Sequence, residues 1–111
     1  MSKIDQQTVD AFLSNGNMSN NNTVVGSGLV TLHGNDIARY INDQIIEISF
    51  SDWQTNTTKS RLNAIVREFT DDSYSIGFKK GAIYLNCAYK PSIELSASGW
   101  HKIVRDYAQK V

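Results

Sequence analysis

Residues 46–69 read IEISFSDWQTNTTKSRLNAIVREF, and the spacing of the apolar residues changes partway through this stretch. At its start, Ile46, Ile48 and Phe50 alternate with polar residues, a period of two that predicts a strand with one face in solvent. Towards its end, the apolar residues stand at i, i+3, i+4 and i+7, which predicts an amphipathic helix with one buried side: Leu62, Ile65, Val66 and Phe69. The N-cap of this helix is predicted to be one of three polar residues: Asn56, Thr57 or Thr58.

Upstream of this stretch, apolar runs broken by turn residues predict a three-stranded meander over residues 24–33, 36–41 and 44–50. Gly34-Asn35 and Asn42-Asp43 are the predicted tight turns. Within the first strand, the segment 26–28 (Gly-Ser-Gly) lacks the third glycine and the following helix of a dinucleotide fingerprint, so we interpret it as flexibility or a bulge.

The N-terminal residues predict a short helix that Ser2 caps and Gly16 ends. Residues 15–23, which contain the run Asn20-Asn21-Asn22, offer nothing to bury and predict a surface loop. Downstream of residue 69, Asp71-Asp72 predicts a turn, and residues 74–85 predict a hairpin that turns at Lys80-Gly81.

Ile93 and Leu95 predict one more strand after the hairpin. Ser98 is then predicted to cap a last helix, because four apolar residues again show helical spacing: Trp100, Ile103, Val104 and Tyr107. The predicted order is α-βββ-α-ββ(β)-α. Since strands and helices do not strictly alternate, we expect an α+β fold in a single domain over residues 1–111, with an antiparallel sheet of about five to six strands and helices on one face.

The chain has 111 residues, with eleven basic and eleven acidic side chains and a formal net charge of +0. This balance argues against a basic coat for nucleic acid and against an acidic mimic of DNA. The charge is uneven along the chain, because residues 1–58 carry two basic and six acidic residues and residues 59–111 carry nine and five. The absence of a secretory signal or a membrane-spanning window predicts a cytoplasmic location.

The sequence offers little material for catalysis. Nucleophilic catalysis needs a base beside the nucleophile, and the available residues are Cys87, His33 and His101. Cys87 is in phase with Ile83 and Leu85 and is interpreted as a core residue, His101 as a solvated helix residue, and His33 as the border of a turn. No metal-ligand spacing such as C-x-x-C or H-E-x-x-H occurs. We therefore expect a protein that is not an enzyme and needs no metal or cofactor.

Residues 53–63 form the strongest candidate binding segment. They place an aromatic ring, several hydroxyl groups and two cations near a helix N-terminus, which attracts anions because its first N–H groups have no partner within the helix. A structural interpretation stays open, in which the polar residues are caps, Trp53 pins the loop and the cations are solvated. The candidate binding residues, including the hairpin turn, are Trp53, Thr57, Thr58, Lys59, Arg61, Asn63, Arg67, Lys79 and Lys80.

The run W-x-T-x-T-T-K-S-R-L-N, formed by residues 53–63, follows a predicted strand and opens a helix. In this respect the chain resembles small bacteriophage and prophage accessory proteins that carry the same pattern. The hairpin of residues 74–85 also fits their layout, and the resemblance covers residues 29–85. It implies a phage or prophage accessory gene, and it offers no active site to carry over. By analogy of source and size, it suggests an inhibitor of host machinery, such as an anti-CRISPR protein.

We therefore expect a non-enzymatic phage accessory protein that binds a host protein or ribonucleoprotein complex, with a CRISPR or other defence complex as one such target. Two alternatives stay open. One is a nucleic-acid-binding module in which Tyr74 or Tyr84 stacks on a base and cations contact phosphates: Lys59, Arg61, Arg67, Lys79, Lys80, Lys102 and Arg105. The other is a protein that sequesters a nucleotide at the helix N-terminus. The sequence is compatible with a monomer and with a homodimer.

Overall fold

The computed structural model describes residues 2–20, 22–88 and 90–105. These residues form two helices and nine strands, in the order α1 (Lys3–Leu13), β1 (Met18–Asn20), β2 (Thr23–Gly26), β3 (Leu29–Leu32), β4 (Asn35–Asn42), β5 (Ile45–Ile48), α2 (Asn56–Phe69), β6 (Tyr74–Lys79), β7 (Ala82–Cys87), β8 (Ile93–Leu95) and β9 (His101–Val104). All strand pairs are antiparallel. The predicted α+β class is confirmed.

The strands form two sheets. The larger sheet has six strands in the order β1-β2-β3-β4-β5-β9, and the smaller one has the order β6-β7-β8. Val30, Ile46 and Ile103 lie in the core of the large sheet, whereas Val24 on the opposite face of β2 is exposed. Helix α1 packs against the β1–β3 end of the large sheet and against α2, and α2 in turn contacts β4 and β6. Helix α2 is therefore the element that joins the two sheets.

Helix α2 confirms the predicted apolar stripe, because Leu62, Ile65, Val66 and Phe69 are all buried. The N-cap prediction was wrong by at least one residue. The hydroxyl of Thr55 accepts from the backbone N–H of Thr58 at 3.2 Å, and the backbone of Thr55 is extended, with φ −109° and ψ 160°. Each Thr or Asn of residues 55–58 can act as an N-cap. The position at which the loop ends therefore decides which of them caps the helix.

The predicted first strand of the meander, residues 24–33, is two strands. A tight turn at Ser27-Gly28 separates β2 from β3, and both residues are left-handed, with φ 53° and 74°. Positive φ at both positions is the pattern of a type I′ two-residue hairpin turn, and Gly adopts it without steric cost. The interpretation of residues 26–28 as a bulge was therefore wrong, because this segment is a hairpin turn.

The predicted surface loop over residues 15–23 contains a strand, so this prediction was wrong in part. Met18, Ser19 and Asn20 pair with Val25, Val24 and Thr23. A short strand at a sheet edge needs no alternating apolar pattern, because its backbone hydrogen bonds to one neighbour hold it in place. The Ser2 cap of α1 is confirmed, with its hydroxyl accepting from the N–H of Asp5 at 3.1 Å.

The predicted C-terminal helix is the strand β9 within the described residues. It pairs with β5, and Ile46 lies opposite Ile103. The ambiguity arises because a few closely spaced apolar residues fit a short strand as well as a helix, and here the ladder with β5 decides. His101 is accordingly a strand residue, and Ser98 caps no helix. Tyr107, the fourth apolar position of the predicted helix, lies outside the described residues.

A buried ion pair joins the two helices. Arg61 on α2 donates to the carboxylate of Asp5 on α1 at 2.6 Å, and their side chains are only 11% and 4% exposed. Arg61 also donates to the hydroxyl of Thr23 on β2 at 3.2 Å, and Ser60 donates to the second carboxylate oxygen of Asp5. Burial alone would raise the pKa of Asp5, but the hydrogen bonds from Ser60, Arg61 and Ser2 and the charge of Arg61 together hold this pKa below its ordinary value of 3.8.

We expect Arg61→Met to lower the free energy of unfolding by about 3 kcal/mol, because it leaves the Asp5 carboxylate buried without its cation. Urea denaturation at neutral pH measures the change. Lys59→Met on the same helix is the matched control, since Lys59 has no carboxylate partner among the described residues. A loss below about 1 kcal/mol, the range of exposed pairs, would show that the pair does not hold the helices together.

The low pKa of Asp5 predicts acid sensitivity. A carboxyl whose folded pKa is depressed stabilises the fold above its unfolded pKa, and this stabilisation is lost as the pH falls through the folded pKa. We expect the difference in unfolding free energy between the wild type and Asp5→Asn to be full at pH 7 and to shrink below about pH 4. A difference that stays constant from pH 7 to pH 3 would contradict this assignment.

Candidate functional site

The loop between β5 and α2 holds Trp53 in an outward position. Phe50 is buried, and the next two residues, Ser51 and Asp52, are both left-handed, with φ 51° and 60°. Such a conformation costs a non-glycine residue roughly 1–2 kcal/mol. It is held here by hydrogen bonds from the N–H of Ser51 to the Ser49 hydroxyl at 3.0 Å, from Asp52 to the Ala97 carbonyl at 2.7 Å, and from Trp53 to the Phe50 carbonyl at 2.7 Å.

Trp53 stacks on His33, which lies in the turn between β3 and β4. Their ring centroids are 6.3 Å apart with an angle of 22° between the planes. The two rings border a cleft of about 140 Å³ between this turn and the first turn of α2, lined by Leu32, His33, Asn35, Ile37, Trp53, Thr55, Thr57 and Thr58. Trp53 remains 44% exposed, so one part of its ring forms a wall of the cleft and another part faces solvent.

The turn between β6 and β7, which contains Lys80, lies beside the loop that contains Trp53. The side-chain amide of Gln54 donates to the carbonyl of Gly81, which brings the adjacent Lys80 to the loop. The ammonium group of Lys59 lies 5.0 Å from the ring centroid of Phe78 on β6. Among the described residues, no carboxylate lies within ion-pair distance of Lys59, Lys79 or Lys80. We call the residues around this loop and the adjoining hairpin turn, which are His33, Trp53, Thr57, Lys59, Lys79 and Lys80, the Trp53 surface.

Three residues of the candidate set make contacts within the fold. Arg61 is engaged in the buried pair with Asp5, so its charge does not reach the surface. The side-chain oxygen of Asn63 accepts from the N–H of Ile76 on β6 at 2.8 Å and ties the small sheet to α2. Thr58 is buried, with its hydroxyl 3.0 Å from that of Thr55.

Arg67 lies apart from the other candidates. It is two helical turns beyond Lys59, roughly 12 Å along the axis of α2, and it pairs with Asp72 at 2.8 Å. Trp53 and Thr57 border the cleft, and the three lysines lie on the β6–β7 side of the loop or of the first turns of α2. His33 and Gln54 also lie next to Trp53, but neither was predicted as part of the site. In the sequence, the His33-Gly34 turn could have pointed to His33, and no feature pointed to Gln54.

Within residues 2–20, 22–88 and 90–105, no three His, Cys, Asp or Glu side chains lie close enough to hold a metal ion. His33 is stacked on Trp53, and the Nε2 atom of His101 is 3.0 Å from the Ser96 carbonyl oxygen. In the same described part of the chain, neither helix is both long and apolar enough to cross a membrane.

The fold and the site together define a small α+β protein in which an exposed tryptophan stands in a loop that is hydrogen-bonded to a lysine-containing hairpin turn. The protein-family model described as Kyanoviridae Gp96 protein matches residues 1–105. The chain belongs to this family, which is a family of phage proteins, so the phage origin implied by the sequence is confirmed. Neither the curated proteins nor the solved structures give a significant match to the chain.

Substitution of Trp53 and of Phe50 tests which of these two aromatic residues stabilises the fold. We expect Trp53→Ala to lower the free energy of unfolding by no more than about 1 kcal/mol, because much of its ring is already in solvent. Phe50→Ala should cost about 3–5 kcal/mol, since Phe50 is buried. Urea denaturation measures both. Comparable losses for the two variants would mean that Trp53 is a packing residue.

Proposed function

We propose that this protein is a non-enzymatic phage accessory protein that binds a host macromolecule through the Trp53 surface in the cytoplasm of the infected cell. The observation that carries the proposal is the position of Trp53, which is 44% exposed although it stands in a tightly hydrogen-bonded loop. Membership of a phage family supports the accessory role. A host protein or ribonucleoprotein is the proposed partner, and a CRISPR or other defence complex is one target of this kind.

A fixed and exposed tryptophan is well suited to binding. Tryptophan is among the residues that dominate interface energy, because its large ring buries much surface with few rotatable bonds. The left-handed residues Ser51 and Asp52 limit the motion of the loop before any partner arrives. Strained backbone of this kind is concentrated at functional sites, where the surrounding structure holds it in place. The ring therefore loses little conformational entropy on binding.

The charges favour a protein partner over nucleic acid. Of the cations proposed for phosphate contacts, Arg61 and Arg67 are engaged in ion pairs, and Arg105 stacks on Phe69 with 4.1 Å to the ring centroid. Three of the seven cations proposed for phosphate contacts are thus engaged within the fold, and the chain is neutral overall, which weakens attraction to a phosphate backbone. Tyr84, one of the two residues proposed to stack on a base, lies directly opposite Glu94 on β8, and this carboxylate would repel a phosphate.

The proposal predicts that partner capture depends on Trp53. We expect the tagged wild type to retain a stoichiometric partner from cyanobacterial lysate at high salt, and Trp53→Ala to lose it. Trp100→Ala is the matched control, because Trp100 packs against the guanidinium of Arg39, 4.1 Å from the ring centroid, and is not among the residues of the Trp53 surface. Quantitative mass spectrometry of the retained proteins measures the capture.

Two outcomes would contradict the proposal. If Trp53→Ala folds and retains the same partner as the wild type, the surface is wrong. If only nucleic acid is retained, and only at low salt, the nucleic-acid-binding alternative replaces the proposal, because phosphate contacts weaken steeply with salt. A thermal-shift panel of nucleotides tests the remaining alternative, since a ligand of the folded state raises its stability.

A further inference from the structure

We infer that the Trp53 surface binds an acidic protein segment with one apolar side chain, which enters the cleft beside Trp53 while carboxylates on either side of it face the lysines. This inference rests on the proposed function and names the chemistry of the partner. It follows from two properties of the surface, the apolar character of the cleft and the unpaired charges next to it.

The cleft fits an aliphatic or aromatic side chain. Its volume of about 140 Å³ is close to that of an engineered apolar cavity, about 150 Å³, that binds benzene. Leu32, Ile37 and Trp53 supply apolar walls. The hydroxyls of Thr55 and Thr58 are 3.0 Å apart, and that of Thr55 also caps the helix. These two hydroxyls are already hydrogen-bonded within the chain, and the apolar walls favour an apolar occupant over a phosphate.

The lysines favour acidic residues in the partner segment, on either side of the apolar side chain that enters the cleft. Lys59, Lys79 and Lys80 lack a carboxylate partner in the part of the chain that the structure describes, whereas Arg39, Arg61 and Arg67 each have one. The acidic residues beside the cleft are Asp52 of the loop and Asp36, whose carbonyl accepts from the Ser51 hydroxyl, and the three lysines outnumber these two. Complementary charge across an interface raises the association rate and excludes partners of the wrong sign.

The two parts of the surface are adjacent. Trp53 and Thr55 line the cleft, and Gln54 between them is hydrogen-bonded to Gly81, the residue after Lys80. An extended segment that leaves the cleft therefore passes the hairpin turn within a few residues. The same hydrogen bond keeps cleft and lysines together, so that one segment can contact both.

The test is a selection of peptides on the immobilised full-length chain from a library of random sequences. We expect the enriched peptides to combine Asp and Glu with one Leu, Ile, Met, Phe or Trp. One enriched peptide is then titrated calorimetrically against the wild type and variants at low and high salt. Enrichment of basic peptides, or of peptides without a charge preference, would overturn the inference.

Two pairs of variants separate the two contacts. Thr57→Phe fills the cleft, and Asn56→Phe places the same ring on the neighbouring exposed residue outside the lining. The double variant Lys79→Glu/Lys80→Glu reverses the local charge, and Lys90→Glu/Lys102→Glu makes the same change at exposed lysines elsewhere. We expect Thr57→Phe and the local charge reversal each to weaken peptide binding about tenfold or more, and the controls to change it less than about twofold.

Circular dichroism confirms the folding of each variant, and Thr57→Leu serves if Thr57→Phe is unfolded. Unchanged affinity in the folded cleft and charge variants would overturn the inference. The results also separate it from the proposed function. If a lysate partner requires Trp53 but tolerates charge reversal and high salt, the function stands and the acidic partner is wrong. If acidic peptides bind as expected but no host partner depends on Trp53, the surface chemistry stands and the function is wrong.

Discussion

The arrangement of the two helices depends on the buried ion pair between Asp5 and Arg61. Neither charge can remain buried alone without a cost of several kcal/mol, so α1 and α2 dock where the carboxylate meets the guanidinium. Thr23 takes part in the same contact and belongs to β2, which also sets the position of the helix pair on the large sheet. One polar contact thus coordinates three elements that the apolar core alone would allow to slide.

The position of α2 in turn assembles the candidate site. The hydrogen bond of Asn63 to Ile76 holds the small sheet against α2, and the hydrogen bond of Gln54 to Gly81 holds the hairpin turn against the loop. The Trp53 surface therefore combines three separate parts of the chain: the turn after β3, the loop before α2 together with the start of α2, and the end of β6 with the turn that follows it. Residues that stabilise α2 act on the site without touching a partner.

The loop before α2 contains local backbone strain, and it holds the ring of Trp53 in a fixed position. Two consecutive left-handed residues, Ser51 and Asp52, are unfavourable by themselves, but the buried Phe50 and the hydrogen bonds of the loop hold them. Their cost is compensated by the core that α2 and the sheets build around them. A ring held in this way presents its exposed part to solvent in one orientation.

The sequence by itself predicted α2, β5 and the β6–β7 hairpin from the spacing of their apolar residues, and α1 and β4 from the capping and turn residues around them. It also identified Trp53 and the lysines as binding candidates. Only the tertiary structure decided that residues 101–104 form a strand, because that choice required the free edge of β5. Only the tertiary structure distinguished Arg61 from Lys59, because the carboxylate that binds Arg61 is 56 residues away along the chain. Local spacing reports which side of an element is apolar, whereas the partner of a charge or a strand edge depends on contacts between distant residues.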